Sequence, residues 1–176
     1  MNRDLQLLLI ALLLAGVAAT SDIRRRRIPN WLTYSGIALG LVLQSALFGW
    51  KGLLASLTGC CLGGGAMLAL YAIRAMGGGD VKLLAAIGSL TGPQNALVIL
   101  LATAIVGGVL AVFVALFHRR MLGTLKNLVC LMRFHAVRGL EAHPELNLAN
   151  PSAVRLPYGL AIAGGTLYAL LIHLRR

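Results

Sequence analysis

Long apolar stretches, each about the length of a bilayer crossing, constrain this chain more than any other feature. At ~20 residues per transmembrane helix, full spans are predicted at residues 5–21, 31–50, 53–73, 96–117 and 154–174. A shorter apolar stretch covers 81–90, between Gly77-Gly78-Gly79-Asp80 and a turn-like break at 91–95. The predicted fold is an all-α polytopic membrane bundle of about six transmembrane helices, one of them short.

Composition supports this prediction. Hydrophobic residues make up 59% of the 176 residues and charged residues only 12%, about half the charged fraction of a soluble domain. A water-soluble globule is therefore excluded, and so is a disordered chain, which cannot carry this much apolar surface. We expect one integral-membrane domain over residues 1–176.

Small residues recur within the predicted spans at four-residue spacing. Gly36 and Gly40 form one such pair, and Gly59 and Gly63 form another. This spacing lets helix backbones approach closely in lipid, so we expect these glycines to pack helices together rather than to bind a ligand.

A polar segment at 118–153 interrupts the apolar pattern. Between residues 118 and 140 its apolar residues recur at helical spacing, and Arg119, Lys126 and Arg133 recur every seven residues. This pattern predicts an amphipathic helix on the inner leaflet, and a simple connector remains the alternative. The remainder, from Glu141 to Pro151, has the composition of a loop.

Basic residues outnumber acidic ones by 16 to 5, which gives a formal net charge of +11. They lie between apolar runs, so they indicate membrane topology and contact with anionic lipid rather than nucleic-acid binding. With six spans and both termini outside, only Arg3, Lys51, Arg175 and Arg176 lie outside and all other basic residues lie inside. The positive-inside rule therefore predicts a cell-membrane protein with external termini.

The first span has an alternative interpretation. Val17-Ala18-Ala19 is similar to a signal-peptide cleavage site. However, Arg24 to Arg27 follow directly, and four arginines resist translocation. We therefore expect the first helix to be retained.

The metal-ligating residue types show no pattern typical of a binding site. The three cysteines, Cys60, Cys61 and Cys130, have no zinc-like spacing, and the four histidines are scattered. We predict no metal, no cofactor and no disulfide framework.

Two of the five acidic residues, Asp22 and Asp80, fall at membrane boundaries on the predicted inner side. An ionisable group beside lipid is costly and indicates a functional site. The alternatives are a counter-charge to the neighbouring arginines for Asp22 and a helix N-cap for Asp80. The other acids, Asp4, Glu141 and Glu145, are interpreted as solvated.

If the bundle brings Asp22 and Asp80 together, the two carboxyl groups cannot both ionise cheaply, so one holds a proton while the other acts as a base. Such a pair can activate a water molecule and polarise a peptide carbonyl. This is the chemistry of an aspartic protease.

Three motifs resemble those of the type IV prepilin peptidases, which are membrane aspartic proteases of the Gly-x-Gly-Asp class. The first is Asp22 with Arg27-Ile28-Pro29-Asn30, and the second is the block Gly77-Gly78-Gly79-Asp80-Val81-Lys82-Leu83-Leu84-Ala85-Ala86-Ile87-Gly88. The third is Leu156-Pro157-Tyr158-Gly159 before the last span.

The resemblance implies that Asp22 and Asp80 are the catalytic pair, near the cytoplasmic face, and that Gly77 and Gly79 shape the loop that carries Asp80. It also implies cleavage of the short basic leader of prepilins or pseudopilins. Further motif positions, to which the resemblance gives no role, are Pro29, Asn30, Lys82, Pro157 and Gly159.

The chain departs from the longer, bifunctional family members. It has no paired Cys-x-x-Cys motifs and no room for the insert that carries them, so N-methyltransferase activity is not expected. Its size resembles the short peptidase-only branch, as in tight-adherence (Flp) pilus systems. The alternative function is a non-enzymatic transporter or assembly subunit that uses Asp80 and Lys82 in an ion path.

Overall fold

The computed structural model describes residues 3–117, 121–139, 141, 143, 144, 146 and 156–175. Within this part the chain forms five helices and no strand. The helices are α1 (Arg3–Arg25), α2 (Asn30–Ala72), α3 (Gly78–Phe117), α4 (Met121–Arg138) and α5 (Tyr158–Leu174). The all-α prediction is confirmed for the described residues.

Three helices, α1, α2 and α3, are long and apolar enough to cross a membrane. Helix α5 is also apolar but has only 17 residues. The predicted count of about six transmembrane helices is not confirmed by this criterion and stays a prediction. With 43 and 40 residues, however, α2 and α3 are each about twice as long as one bilayer crossing.

Both long helices bend at a glycine. In α2 the bend is at Gly49, with φ 62° and ψ −142°, and in α3 it is at Gly92, with φ 75° and ψ 174°. Glycine adopts this left-handed region without steric cost, and Pro93 further weakens the helix because it lacks a backbone N–H. Both bends lie at or close to predicted boundaries between apolar stretches.

The two halves of α2 run in opposite directions along α3. Before the bend, Gly36 lies beside Ala86 and Gly40 lies beside Ser89 and Leu90, so residue numbers rise together.

After the bend the order reverses, because Gly59 lies beside Gly88 and Gly63 beside Leu84. At Gly59 and Gly88 backbone meets backbone, since a Cβ on either glycine would collide with the carbonyl group of the other. The predicted packing role of the paired glycines is confirmed at these positions.

The start of α3 forms the centre of the bundle. Every residue from Leu83 to Gly92 is buried, as expected for a helix that is apolar on all sides. Helices α1, α2 and α5 all pack against α3, and α1 also packs against α5.

Two hydrogen bonds link polar side chains inside the bundle. The Ser56 and Ser89 hydroxyls lie 2.7 Å apart. The buried Gln44 amide donates to the Leu90 carbonyl oxygen at 2.9 Å, close to the bend at Gly92, where carbonyl groups lose their helical partners.

The polar segment contains the predicted helix. Its described part, α4, has no buried residue, and Leu122, Leu125 and Met132 are exposed. Contact of α4 with a membrane surface stays a prediction. Residues 118–120, 140, 142, 145 and 147–155, which include parts of the predicted loop and last span, lie outside the described residues.

A Gly59→Ala substitution tests the backbone contact between α2 and α3. The added methyl group meets the Gly88 carbonyl, so the helices must separate, and we expect a loss of about 1–3 kcal/mol in stability. The measurement is the thermal unfolding of the detergent-purified protein. Gly65→Ala, which meets nothing within 4 Å, is the matched control, and equal unfolding temperatures for the two variants would contradict the packing role.

Candidate active site

The structure brings Asp22 and Asp80 together. They come from α1 and α3 and line one cavity of about 770 Å³, with Pro157 and Tyr158 on its wall. Both aspartates are half-buried, and they lie close enough to interact electrostatically. Within the described residues neither carboxylate forms an ion pair.

A backbone hydrogen bond holds Asp22. Asp22 lies in the last turn of α1, and its Oδ2 accepts the Gly159 N–H of α5 at 2.9 Å. The first N–H groups of a helix have no partner within the helix and point outward, which makes a helix N-terminus a binding site for anions. The N-terminus of α5 therefore binds the Asp22 carboxylate and orients it.

The absence of a side chain at Gly159 makes this contact possible. A Cβ there would lie 3.1 Å from both Cβ and Oδ2 of Asp22 and 3.3 Å from Cα of Ala19. Gly159 is buried, so these neighbours leave no open space for a methyl group. The motif resemblance assigns no role to Gly159, and the structure places it directly against the carboxylate.

Asp80 lies in the first turn of α3, where a carboxylate interacts favourably with the helix dipole. Its backbone N–H donates to the Gly77 carbonyl oxygen at 3.2 Å. A Cβ on Gly77 would lie 3.2 Å from Asp80 Oδ2, and one on Gly79 would lie 3.2 Å from Ile28 Cβ. Both glycines thus leave room for close approach, one for the carboxylate and the other for the connection between α1 and α2.

Three other motif residues lie at the starts of α2 and α3, outside the cavity lining. The Lys82 ammonium donates to Asn30 Oδ1 at 3.0 Å and lies 5.1 Å from the centre of the Tyr34 ring. Pro29 precedes α2 in an extended conformation, with φ −65° and ψ 135°. These contacts tie the start of α2 to the start of α3, and none of these residues lines the described cavity.

The cavity lining includes functional candidates beyond the motif residues. Arg26 and Arg74 line it. The sequence makes the run Arg24 to Arg27 a candidate partner for a substrate carboxylate just beyond the cleaved bond, whereas Arg74 serves there only as a topology signal. Tyr71, from the end of α2, lines it too. A run of arginines or a single aromatic residue carries no sequence signal that would predict its place in a cavity.

No group of three histidine, cysteine, aspartate or glutamate side chains is placed to hold a metal ion within the part of the chain that the structure describes.

The model of the type IV leader peptidase family matches residues 7–112. The chain belongs to this family. The match spans both aspartates, together with Pro29, Asn30 and Lys82, and ends before Gly159. The predicted resemblance is confirmed, and membership implies a membrane-bound peptidase. No curated protein and no solved structure gave a significant match to the chain.

Replacing Gly159 with alanine should impair leader-peptide cleavage. The methyl group pushes on the Asp22 carboxylate, and small displacements of a reacting group are costly, so we expect an activity loss of about 10-fold or more. Gly108→Ala, which meets nothing within 4 Å, is the matched control in a cleavage assay. Full activity of the Gly159 variant at normal membrane levels would contradict the role of Gly159 in positioning the Asp22 carboxylate.

Lys82 and Asn30 should be energetically coupled. A hydrogen bond to a charged group contributes about 1 kcal/mol or more, so Lys82→Met and Asn30→Ala should each destabilise the protein while the double variant adds little further. A double-mutant cycle on denaturant unfolding measures this coupling. If the losses in the free energy of unfolding simply add in the double variant, the Lys82–Asn30 hydrogen bond does not contribute to stability.

Proposed function

We propose that the chain is an aspartic endopeptidase that removes the short basic leader from type IV prepilins or pseudopilins. Asp22 and Asp80 are the catalytic pair, and cleavage takes place near the cytoplasmic face of the cell membrane. One observation carries the proposal: two aspartates 58 positions apart in the sequence line the same cavity. Family membership is consistent with this activity.

The chemistry follows from two carboxyl groups that share one cavity. Electrostatic repulsion favours a state in which one carboxyl group carries a proton and the other is ionised. The ionised group takes a proton from water, whose oxygen attacks the scissile carbonyl carbon, while the protonated group donates to the carbonyl oxygen. When the tetrahedral intermediate collapses, the carboxyl group that took the proton from water passes it to the leaving nitrogen and the C–N bond breaks. The other carboxyl group recovers its proton from the oxygen as the carbonyl group re-forms.

The backbone around the pair supports this mechanism. The Gly159 N–H fixes one rotamer of Asp22, and the first turn of α3 fixes the backbone of Asp80. Pre-organised groups of this kind lower the barrier because they need little rearrangement during the reaction.

The proposed membrane arrangement is one domain over residues 1–176 with six membrane-crossing segments. The bends at Gly49 and Gly92 support it, because each splits a helix of about two crossing lengths. Both termini lie outside in this arrangement, and the cavity faces the cytoplasm, where most of the basic residues gather. Helix α1 contributes both core residues and Asp22, which supports its retention.

Helix α4 is proposed to lie on the inner leaflet and to contact anionic lipid. Its exposed apolar residues include Leu122 and Leu125, and Lys126 and Arg133 lie beside them along one groove. Apolar residues flanked by basic ones are typical of an interfacial helix. The proposed family branch is the short, peptidase-only type of tight-adherence pilus systems.

Asp22→Asn and Asp80→Asn should each abolish leader removal, because each substitution removes one of the two carboxyl groups that the mechanism requires. We expect a loss of at least about 10³-fold, in line with the loss of an essential catalytic group. Co-expression with candidate prepilins, followed by gel shift and N-terminal sequencing, measures cleavage. Asp4→Asn, at an exposed aspartate of α1, is the matched control.

Cleavage that survives either substitution would refute the two-aspartate mechanism. Ion flux that depends on Asp80 but not on Asp22, without any cleavage by the unmodified chain, would favour the transporter alternative instead. Membrane levels of every variant are compared by immunoblot so that misfolding is separated from loss of chemistry.

A further inference from the structure

Two arginines beside the aspartates have an unusual backbone conformation. Arg26 has φ 50° and Arg74 has φ 56°, and among the described residues they are the only non-glycine residues with positive φ. Both also line the cavity that contains Asp22 and Asp80. Residues other than glycine pay a steric penalty in this region, so each position calls for a physical reason.

Each arginine occupies the same position relative to a helix end. The Arg26 N–H donates to the Asp22 carbonyl oxygen at 2.7 Å, just after α1. After α2, the Arg74 N–H donates to the Tyr71 carbonyl oxygen at 2.9 Å, and the Ala75 N–H donates to that of Leu70, also at 2.9 Å. These are left-handed helix C-terminal motifs, in which glycine is the usual residue.

No ion pair within the described part of the chain accounts for the two guanidinium groups. Within the described residues neither arginine forms an ion pair, even though two aspartates line the same cavity. Stabilisation of the α1 dipole does not require position 26, because Arg24 and Arg25 already lie in the last turn of that helix. Two exposed arginines thus line the cavity, and their guanidinium groups form no ion pair within the described residues.

We propose that Arg26 and Arg74 determine substrate specificity by binding an acidic side chain of the prepilin. Guanidinium groups bind carboxylates with paired, charge-assisted hydrogen bonds. The basic leader is repelled by these arginines, so the acidic side chain lies on the other side of the scissile bond, in the mature pilin sequence. This inference rests on the proposed function for the identity of the substrate.

Binding to a cleavage-deficient enzyme tests the inference without turnover. The full chain carrying Asp80→Asn is placed in zwitterionic lipid nanodiscs. Fluorescent prepilin peptides then carry a single glutamate or glutamine at each position of the first two helical turns after the scissile bond. At one position we expect glutamate to bind about 10-fold to 100-fold more tightly than glutamine.

Arg26→Gly and Arg74→Gly should each reduce this preference for glutamate. Glycine suits the left-handed backbone, so the thermal unfolding temperature should stay unchanged or rise, and misfolding cannot account for the loss. Arg26→Lys and Arg74→Lys should restore part of the preference because they keep the charge. Arg24→Ala, which removes an arginine from the same helix outside the cavity lining, should leave it unchanged.

Three results would overturn the inference. The first is an equal affinity for glutamate and glutamine peptides at every position, and the second is a preference that survives in both glycine variants. The third is measured after anionic lipid is added to the nanodiscs: peptide binding that depends on the anionic lipid, shows no glutamate preference and loses this dependence in the glycine variants would assign the arginines to lipid phosphate.

Cleavage by the chain with Asp80 intact reports separately on the proposed function. A glutamate preference without cleavage would reject the peptidase and keep the acidic-side-chain site. Cleavage without a glutamate preference would support the peptidase and reject the acidic-side-chain site.

Discussion

The bundle depends on backbone-to-backbone contact at the buried start of α3. In lipid, apolar side chains gain little by leaving their surroundings, so helices associate through close packing and polar contacts. Gly59 and Gly88 provide that packing because neither has a side chain to keep α2 and α3 apart. Asp80 lies about two turns before Gly88 on the same helix, so the contact that holds α3 also holds the aspartate.

The two aspartates lie at helix ends rather than in the middle of helices. Asp22 is in the last turn of α1 and Asp80 in the first turn of α3. At a helix end, backbone groups lack helical partners and are free to bind a side chain, which is how the Gly159 N–H reaches Asp22. The geometry of the pair is therefore set by where three helices begin and end, and it changes if any of them shifts along its axis.

The sequence predicted the features that interrupt an apolar pattern. Asp22 and Asp80 were predicted because acids are rare here, and the bend at Gly92 because Pro93 and polar residues follow it. The contact between Asp22 and Gly159 spans 137 positions and depends on how the helices pack. No local pattern encodes that packing, so no role for Gly159 followed from the sequence alone.

Among the described positions with a left-handed backbone, some carry glycine and two carry arginine. At Gly49 and Gly92 the backbone needs a left-handed conformation, no side-chain role is evident there, and glycine is present. The turns at Arg26 and Arg74 make the same backbone demand, but both border the cavity. In a chain with 21 glycines, an arginine at each of these two positions suited to glycine fits the proposal that the guanidinium group, not the turn, determines the residue.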